Sequence, residues 1–182
     1  RATKVDTARR CVVFNDEIEI PYKVLLSTIP LPDLLRIATD VPSEVRSAAS
    51  VLRTNSIMVV NLGIGRANIS NKHWVHFPEK GISFFRISFP HNFSPEVVPA
   101  GRSSVSAEVA YPANNPPDRA TLIERVISDL RRVGVLQPDD PIVATSTRDS
   151  RDAYCVYDSE RLAALPIIKK WLRSVDIVPG GR

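Results

Sequence analysis

All three histidines of this 182-residue chain fall in one stretch, HWVHFPEKGISFFRISFPHNFSP, from His73 to Pro95, together with Trp74 and with Arg86 among phenylalanines. Imidazoles ligate metals, an arginine fork grips carboxylates and phosphates, and aromatic rings form pocket walls. A metal site is the first possibility. His73 and His76 are three apart, and on a strand an odd spacing sends side chains to opposite faces. No second cluster of Cys, His or Asp stands at ligand spacing, so no metal is assigned. One of the two histidines is expected at the surface and the other in a pocket or the core.

The same parity gives Arg86 its neighbours. If HWVHF and ISFFRISF form a hairpin turning near Lys80, Trp74 faces Arg86 and His76 faces Phe84, because cross-strand partners share a face. Trp74, His76, Phe84, Arg86 and Ser88 then make a mixed face, and Val75, Phe77, Phe85, Ile87 and Phe89 an apolar one. Two readings of the mixed face stand side by side. One is a solvent-facing strand with a cation–π pair, worth roughly 0.5–1 kcal/mol when exposed. The other is an aromatic-lined pocket with the guanidinium aimed at an anion.

Other motifs carry less chemistry. GIGRAN supplies Gly63 and Gly65 but no third glycine and no amphipathic helix, so it marks a strand end or bulge, not a dinucleotide turn. No serine sits in a nucleophile-elbow context. Cys155, inside AYCVY, reads as a buried, inert thiol. No catalytic side chain is assigned.

The elements that must position these residues follow from periodicity. CVVFNDEIEI reads as a hairpin broken at Asn15-Asp16, and KVLLST as a strand buried on both faces. Leu31 to Thr39 and Pro42 to Arg53 read as helices, the first with Pro32 in its opening turn and the second with Ser43 as N-cap. SIMVVNLGIG is a strand. SSVSAEVAY alternates, with Val105, Ala107, Val109 and Tyr111 on one face. From Asp118 to Val133, Leu122, Ile123, Val126, Ile127, Leu130 and Val133 recur at helical spacing between a capping Asp118 and Gly134. PIVATSTRDSRDAYCVYD is mostly strand. Ser159 opens a last helix to about Arg173, with Ile168, Trp171 and Leu172 inward and Pro166 as a kink or a fresh start. The order predicts an α+β fold, a mostly antiparallel mixed sheet flanked by about four helices.

A hydrophobic fraction of 43% supplies a core, and a net charge of +4 with both signs mixed gives no tract for nucleic acid. No run approaches the ~18 apolar residues of a membrane span. Two cysteines make no disulfide framework and suit a reducing compartment, here taken as cytoplasmic. The opening on Arg1 and the VPGGR ending suggest a piece of a longer protein.

Several motifs together, HWVHFPE, FFRISFPHNFSP, SSVSAEVAY and DIVPGGR, resemble the UDP-galactopyranose mutases and their FAD flavoprotein relatives, which include protoporphyrinogen and amine oxidases. YKVLLSTIPLPDLL is similar to the segment where those chains pass the flavin and enter the substrate domain. The likeness covers nearly the whole chain. Its most specific signals are W-x-x-F-P-E, the arginine twelve residues after that Trp, the N-[FY]-S-P run, and the Tyr154-to-Arg182 spacing.

This resemblance implies that Arg86 contacts a nucleotide-sugar diphosphate, that Tyr154 hydrogen-bonds a phosphate, and that Arg182 lies by both flavin and diphosphate. Trp74, His76 and Asn92 complete the substrate set, and Ser27, Thr28 and Pro30 stand on the flavin side. His76 occupies a position where the mutases commonly carry Tyr, which leaves another nucleotide sugar or another substrate open. Residues 1–30 correspond to the end of an FAD-binding domain and 31–182 to a substrate-binding domain. The implied reaction is pyranose–furanose interconversion of a nucleotide sugar, with N5 of reduced FAD as nucleophile. The implied partners are that small-molecule substrate and the rest of the FAD-binding domain. The alternatives are an oxidoreductase of the protoporphyrinogen or amine oxidase type and a binding module without catalysis. The family's glycine-rich FAD motif is absent from these 182 residues, so the purified chain is expected to hold FAD weakly or not at all. Stoichiometric visible flavin absorbance would contradict this.

Overall fold

The structure, a computed structural model, describes residues 1–15 and 17–181. Along the chain run β1 (Ala2–Asp6), β2 (Cys11–Phe14), β3 (Glu19–Pro21), β4 (Leu25–Ser27), α1 (Leu31–Ile37), α2 (Ser43–Ser50), β5 (Thr54–Ile64), β6 (Trp74–His76), β7 (Arg86–Ser88), α3 (Pro90–Phe93), β8 (Ser103–Tyr111), α4 (Arg119–Arg132), β9 (Ile142–Cys155), α5 (Ser159–Ser174) and β10 (Ile177–Pro179). The fold is α+β. The anticipated helices are α1, α2, α4 and α5; α3 is a single added turn. The chain divides into two compact units, Arg1–Thr54 with Tyr154–Arg182, and Asn55–Ala153.

In the first unit, β1, β2 and β3 form an antiparallel meander. The β2–β3 hairpin is the one expected around Asn15-Asp16, Asp16 itself lying outside the described residues. Val5, Leu34, Leu35, Val45, Ala164, Ile168, Leu172 and Ile177 make its core, with Trp171 half-buried against it. The α5 helix starts where the Asp158 carboxylate accepts the Arg161 N–H at 2.7 Å, and it runs on through Pro166 without a fresh start. Two expectations fail here. Pro42, not Ser43, holds the N-cap of α2, and Ser43 is its first helical residue. A proline there presets the entry dihedral, and no side chain caps the turn. KVLLST is not buried on both faces: among the described residues β4 pairs only with β10, in parallel, and Leu26 is 66% exposed.

The second unit is built on a five-strand antiparallel sheet, ordered β6-β7-β8-β5-β9. One face packs under α4. Val60, Leu62, Ile87, Val105, Ala107 and Val109 from the strands meet Leu122, Val126 and Leu130 from the helix, all buried. The expected cap holds, the Asp118 carboxylate accepting the Thr121 N–H at 2.9 Å. β6 and β7 pair as Trp74↔Ser88, Val75↔Ile87 and His76↔Arg86. This register is two residues away from the expected one. The turn centres on Gly81, which takes φ +95, one residue beyond Lys80. That left-handed conformation suits a residue without Cβ. Moving the turn centre by one residue shifts the register by two and preserves every side chain's face. Phe84 and Phe85 depart from this. Phe84 lies beyond the paired residues, leaves the mixed face, and is buried (1% exposed) edge-on to Phe77, with ring centroids 5.1 Å apart, while Phe85, expected on the apolar face, is half-buried and outside the core cluster.

Gly63 lies inside β5 and Gly65 just past its end, where the Gly65 N–H bonds the Pro141 carbonyl; no dinucleotide turn forms. Cys155 is half-buried, not fully buried, because it ends its strand. His73 and His76 are both exposed, against the expected division, and the buried histidine is His91, whose Nδ1 sits 3.1 Å from the Ser104 N–H.

Beyond the β5 end, the buried Asp140 carboxylate accepts Arg66 Nε at 2.5 Å, Arg66 Nη2 at 2.7 Å and the Gln137 N–H at 2.8 Å. The Arg66 hydrogen bond, with lesser help from Gln137, holds Asp140 below its ordinary value of 3.8. A depressed carboxylate contributes stability above its unfolded pKa and loses it as pH falls through the folded one. Asp140→Asn is therefore expected to cost about 1–3 kcal/mol at neutral pH. It should also flatten the loss of stability below about pH 4. Urea titrations at neutral and acid pH check both, and an unchanged acid slope would refute the assignment.

Candidate functional site

The face of the five-strand sheet opposite α4 carries the polar positions. Antiparallel register aligns them in rows. His76, Arg86, Glu108 and Val59 form one row, and Trp74, Ser88, Ser106 and Asn61 the next. Three of the expected substrate residues, Trp74, His76 and Arg86, thus share one face. The parity argument holds for them despite the shifted register.

Arg86 does not stand alone on this face. Glu108, directly across on β8, accepts both Arg86 Nε at 2.9 Å and Nη2 at 2.5 Å through a single oxygen, Oε1. The side chains are 32% and 15% exposed, so the pair is half-withdrawn from water. This arrangement explains how an arginine sits between Phe85 and Ile87. The pleat sends Ile87 into the core and hands Arg86 a carboxylate. One row along, the Ser106 hydroxyl donates to Asn61 Oδ1 at 2.6 Å.

Trp74 is 57% exposed and stacks on Phe93, with centroids 5.9 Å apart and planes 20° off parallel. Phe93 is itself 56% exposed and meets His73 edge-on at 4.8 Å. The single turn of α3 positions Phe93. Asn92 beside it ties that turn to the approach of β6: its Nδ2 donates to the Lys72 carbonyl at 2.6 Å and the Ser70 carbonyl at 3.0 Å. Asn92 therefore supports the shelf from behind, its amide turned to backbone.

Glu108 and Phe93 were not assigned from the sequence. Glu108 occupies an outward position of the alternating SSVSAEVAY, but its partner lies 22 residues away on another strand. Phe93 sits in the N-F-S-P run, where only Asn92 was singled out.

The remaining candidates belong to the first unit. Tyr154 is half-buried at the end of β9. Ser27 lies in β4, opposite Pro179. The Gly180 N–H bonds the Ser27 carbonyl at 2.8 Å, and a Cβ on Gly181 would stand 2.9 Å from the Thr28 carbonyl oxygen. The two segments named as flavin neighbours thus lie against each other through bare backbone. Pro30 lines a cleft of about 520 Å³ with Ile29, Asp33 and Arg36. Arg182 lies outside the described residues. Among the described residues no three His, Cys, Asp or Glu side chains gather as a metal site would require, and no helix is long and apolar enough to cross a membrane.

No protein-family model matches the chain. Among solved structures, a reduced UDP-galactopyranose mutase superposes with a TM-score of 0.88 and 25% identity over 97% of this chain and 39% of its own. A protein described as a protoporphyrinogen oxidase from Exiguobacterium sp. 255-15 gives 0.70 at 13% identity, over 94% and 38%. A putrescine oxidase double mutant gives 0.69 at 12% identity, over 98% and 42%. The chain has the fold of the FAD flavoprotein superfamily that its motifs resemble, and it spans about two fifths of the length of these structures.

The Arg86–Glu108 pair should be measurable. In a double-mutant cycle of Arg86→Met and Glu108→Gln, followed by urea denaturation, the coupling is expected at about 1–2 kcal/mol, discounted for partial exposure. A coupling near zero would leave Glu108 a bystander.

Proposed function

We propose that this chain is the substrate-side part of a flavoenzyme resembling UDP-galactopyranose mutase, acting on a nucleotide sugar. The observation that carries this reading is the mutase superposition over 97% of the chain. The polar sheet face, with an arginine beside an aromatic shelf, agrees with it. Arg86 would hold the diphosphate, with Glu108 fixing the fork. Trp74, backed by Phe93, would form the wall of the pocket, and His76 the edge beside Arg86. Tyr154 and Arg182 keep the phosphate contacts that the motif likeness gives them, and Asn92 acts by holding the shelf. The ledge at Ser27, Thr28 and Gly180–Gly181, with Pro30 beside it, brings backbone close at Gly181, where a Cβ would stand 2.9 Å from the Thr28 carbonyl oxygen, and this agrees with the flavin side that the motif likeness gives these residues. Bound FAD, when reduced, would supply the nucleophile for ring contraction. The residues of this chain orient the sugar and neutralise the departing diphosphate. The two free cysteines, Cys11 and Cys155, suit the reducing cytoplasm we assign to it.

One observation favours a second reading. Glu108 offsets much of the charge on Arg86, so an oxidoreductase acting on a less anionic substrate also fits this face.

The test uses the chain joined to a flavin-binding segment. Isomerisation of UDP-galactopyranose by the dithionite-reduced protein supports the first reading. Oxygen consumption with an amine or a porphyrinogen supports the second. Arg86→Ala is expected to weaken UDP-sugar binding by about 1.5–3 kcal/mol, as for a charge-assisted bond. Sequence alone predicts almost unchanged stability for this variant. The ion pair revises that, because a half-buried Glu108 loses its partner. Unchanged binding with lowered stability would make Arg86 purely structural.

A further inference from the structure

The strand β9 closes one edge of the five-strand sheet. It pairs with β5 on one side, and among the described residues no strand pairs with its other side. It is 14 residues long, so it presents a long row of outward backbone N–H and C=O groups. Such an edge accepts another strand unless something prevents it. Its middle reads Arg148-Asp149-Ser150-Arg151-Asp152, and all five residues are exposed. Neither arginine has an ion-pair partner among the described residues. Strand parity divides the run. Ser146 lies on the polar face, where its hydroxyl accepts from the Asn61 amide at 3.4 Å, and Arg148 and Ser150 follow it there. Asp149 lies on the α4 side, where it accepts the hydroxyl of the buried Tyr111, and Arg151 follows it. Asp152 takes φ 53 and ends the regular extended run.

From this pattern we infer that the open edge of β9 docks a second copy of this chain, antiparallel, about a two-fold axis at Ser150. In that register Asp149 meets Arg151 of the second copy and Arg148 meets Asp152, each contact occurring twice. Opposite charges directly across an antiparallel pair attract, and like charges repel. The neighbouring registers that keep each copy's faces aligned are worse. A slide by two residues sets Asp149 against Asp149, or Arg151 against Arg151. A slide by four sets Arg148 against Arg148, or Asp152 against Asp152. Charges on an edge strand can also serve to keep other strands away. A guard of one sign would repel a second copy in every register, whereas these alternating signs attract in one. The Asp149 carboxylate has two oxygens, so its bond to Tyr111 through Oδ1 leaves the other for an arginine. The left-handed Asp152 limits the paired stretch to residues 148–152 on each copy. The dimer is therefore of the small, transient kind. The flavoenzyme reading is not needed for this docking, since none of the five residues was given a ligand role.

The experiment is analytical ultracentrifugation of the 182-residue chain at about 0.1 mM, a concentration suited to a small interface. The expected result is a dimer at low salt that dissociates near 1 M salt, where charges are screened beyond about 3 Å. Arg148→Asp opposes two carboxylates, twice per dimer, and should weaken dimerisation by about tenfold or more. Asp152→Arg should do the same with two cations. The double variant Arg148→Asp/Asp152→Arg should return the dimer to within about threefold of wild type, because the two changes meet across the interface. Crosslinking locates the axis. In a Cys155→Ser background, Ser150→Cys is expected to form an intermolecular disulfide on mild oxidation, since opposed residues stand about 4.5–5.5 Å apart between Cα atoms. Ser146→Cys should not, because its symmetry mate lies eight residues along the pair, roughly 27 Å away. A chain that stays monomeric overturns the inference and makes the charged run an edge guard. A dimer indifferent to both charge reversals, or crosslinked as readily through Ser146→Cys, forms elsewhere and overturns it too. So does a double variant that fails to restore what the single reversals weaken. Melting temperatures within about a degree of wild type are expected at these exposed positions. If a reversal melts early, the comparison of Ser150→Cys with Ser146→Cys decides alone.

Discussion

A guanidinium set in an apolar strand has to be matched, and the unit Asn55–Ala153 is arranged around that demand. Arg86 lies between Phe85 and Ile87, and Ile87 is fully buried. The pleat turns Arg86 to the other side, where β8 presents Glu108 in register. If β7 slipped by one residue against β8, the charge would enter the core beneath α4 and Ile87 would face water. The ion pair and the apolar layer therefore specify the same register from opposite faces. This double specification places Trp74 and His76 on the outward face as well, because β6 follows β7 in turn.

The consequence is a sheet with two occupations. One face is a packed layer against Leu122, Val126 and Leu130. The other is a graded surface: an ion pair in one row, a serine–asparagine hydrogen bond in the next, then a low groove of about 350 Å³ beside Gly63 and Ala144. The stacked Trp74–Phe93 shelf borders it. The small turn α3 supplies Phe93 and is itself pinned by Asn92 to the strand approach at Ser70 and Lys72. A residue read as a ligand contact thus turns out to hold the platform on which one could bind.

Much of this was legible in the sequence because it depends on period. The alternation of SSVSAEVAY, the helical spacing from Leu122 to Val133, and the shared face of Trp74, His76 and Arg86 are all local patterns, and all stand. What failed depended on where periods stop. The β6–β7 turn centres on Gly81, not Lys80, and pairing ends before Phe84, so that ring escaped its predicted face. Glu108 was invisible for a different reason: strand order is a tertiary fact, and nothing in SAEVAY says which strand lies beside it. Ser43 lost its capping place to Pro42, where a fixed φ substitutes for a hydrogen bond. Leu26 in β4 reads like a core residue but is exposed, because among the described residues β4 has only β10 beside it.

The Arg86–Glu108 pair also changes what this face can select. A lone arginine would draw any anion, with little discrimination beyond charge. A guanidinium already bonded to a carboxylate presents donors in a fixed orientation but a much weaker net field. Anion capture by charge alone is then poor. A ligand must add contacts elsewhere to compete, such as stacking on the exposed Trp74. Under the mutase-like reading this shifts discrimination away from the phosphates, which many metabolites share, and onto the parts of the ligand that differ. Under the oxidase-like reading the same pair simply closes off the charge. The two readings therefore diverge most sharply over whether Arg86 serves Glu108 alone or a ligand as well.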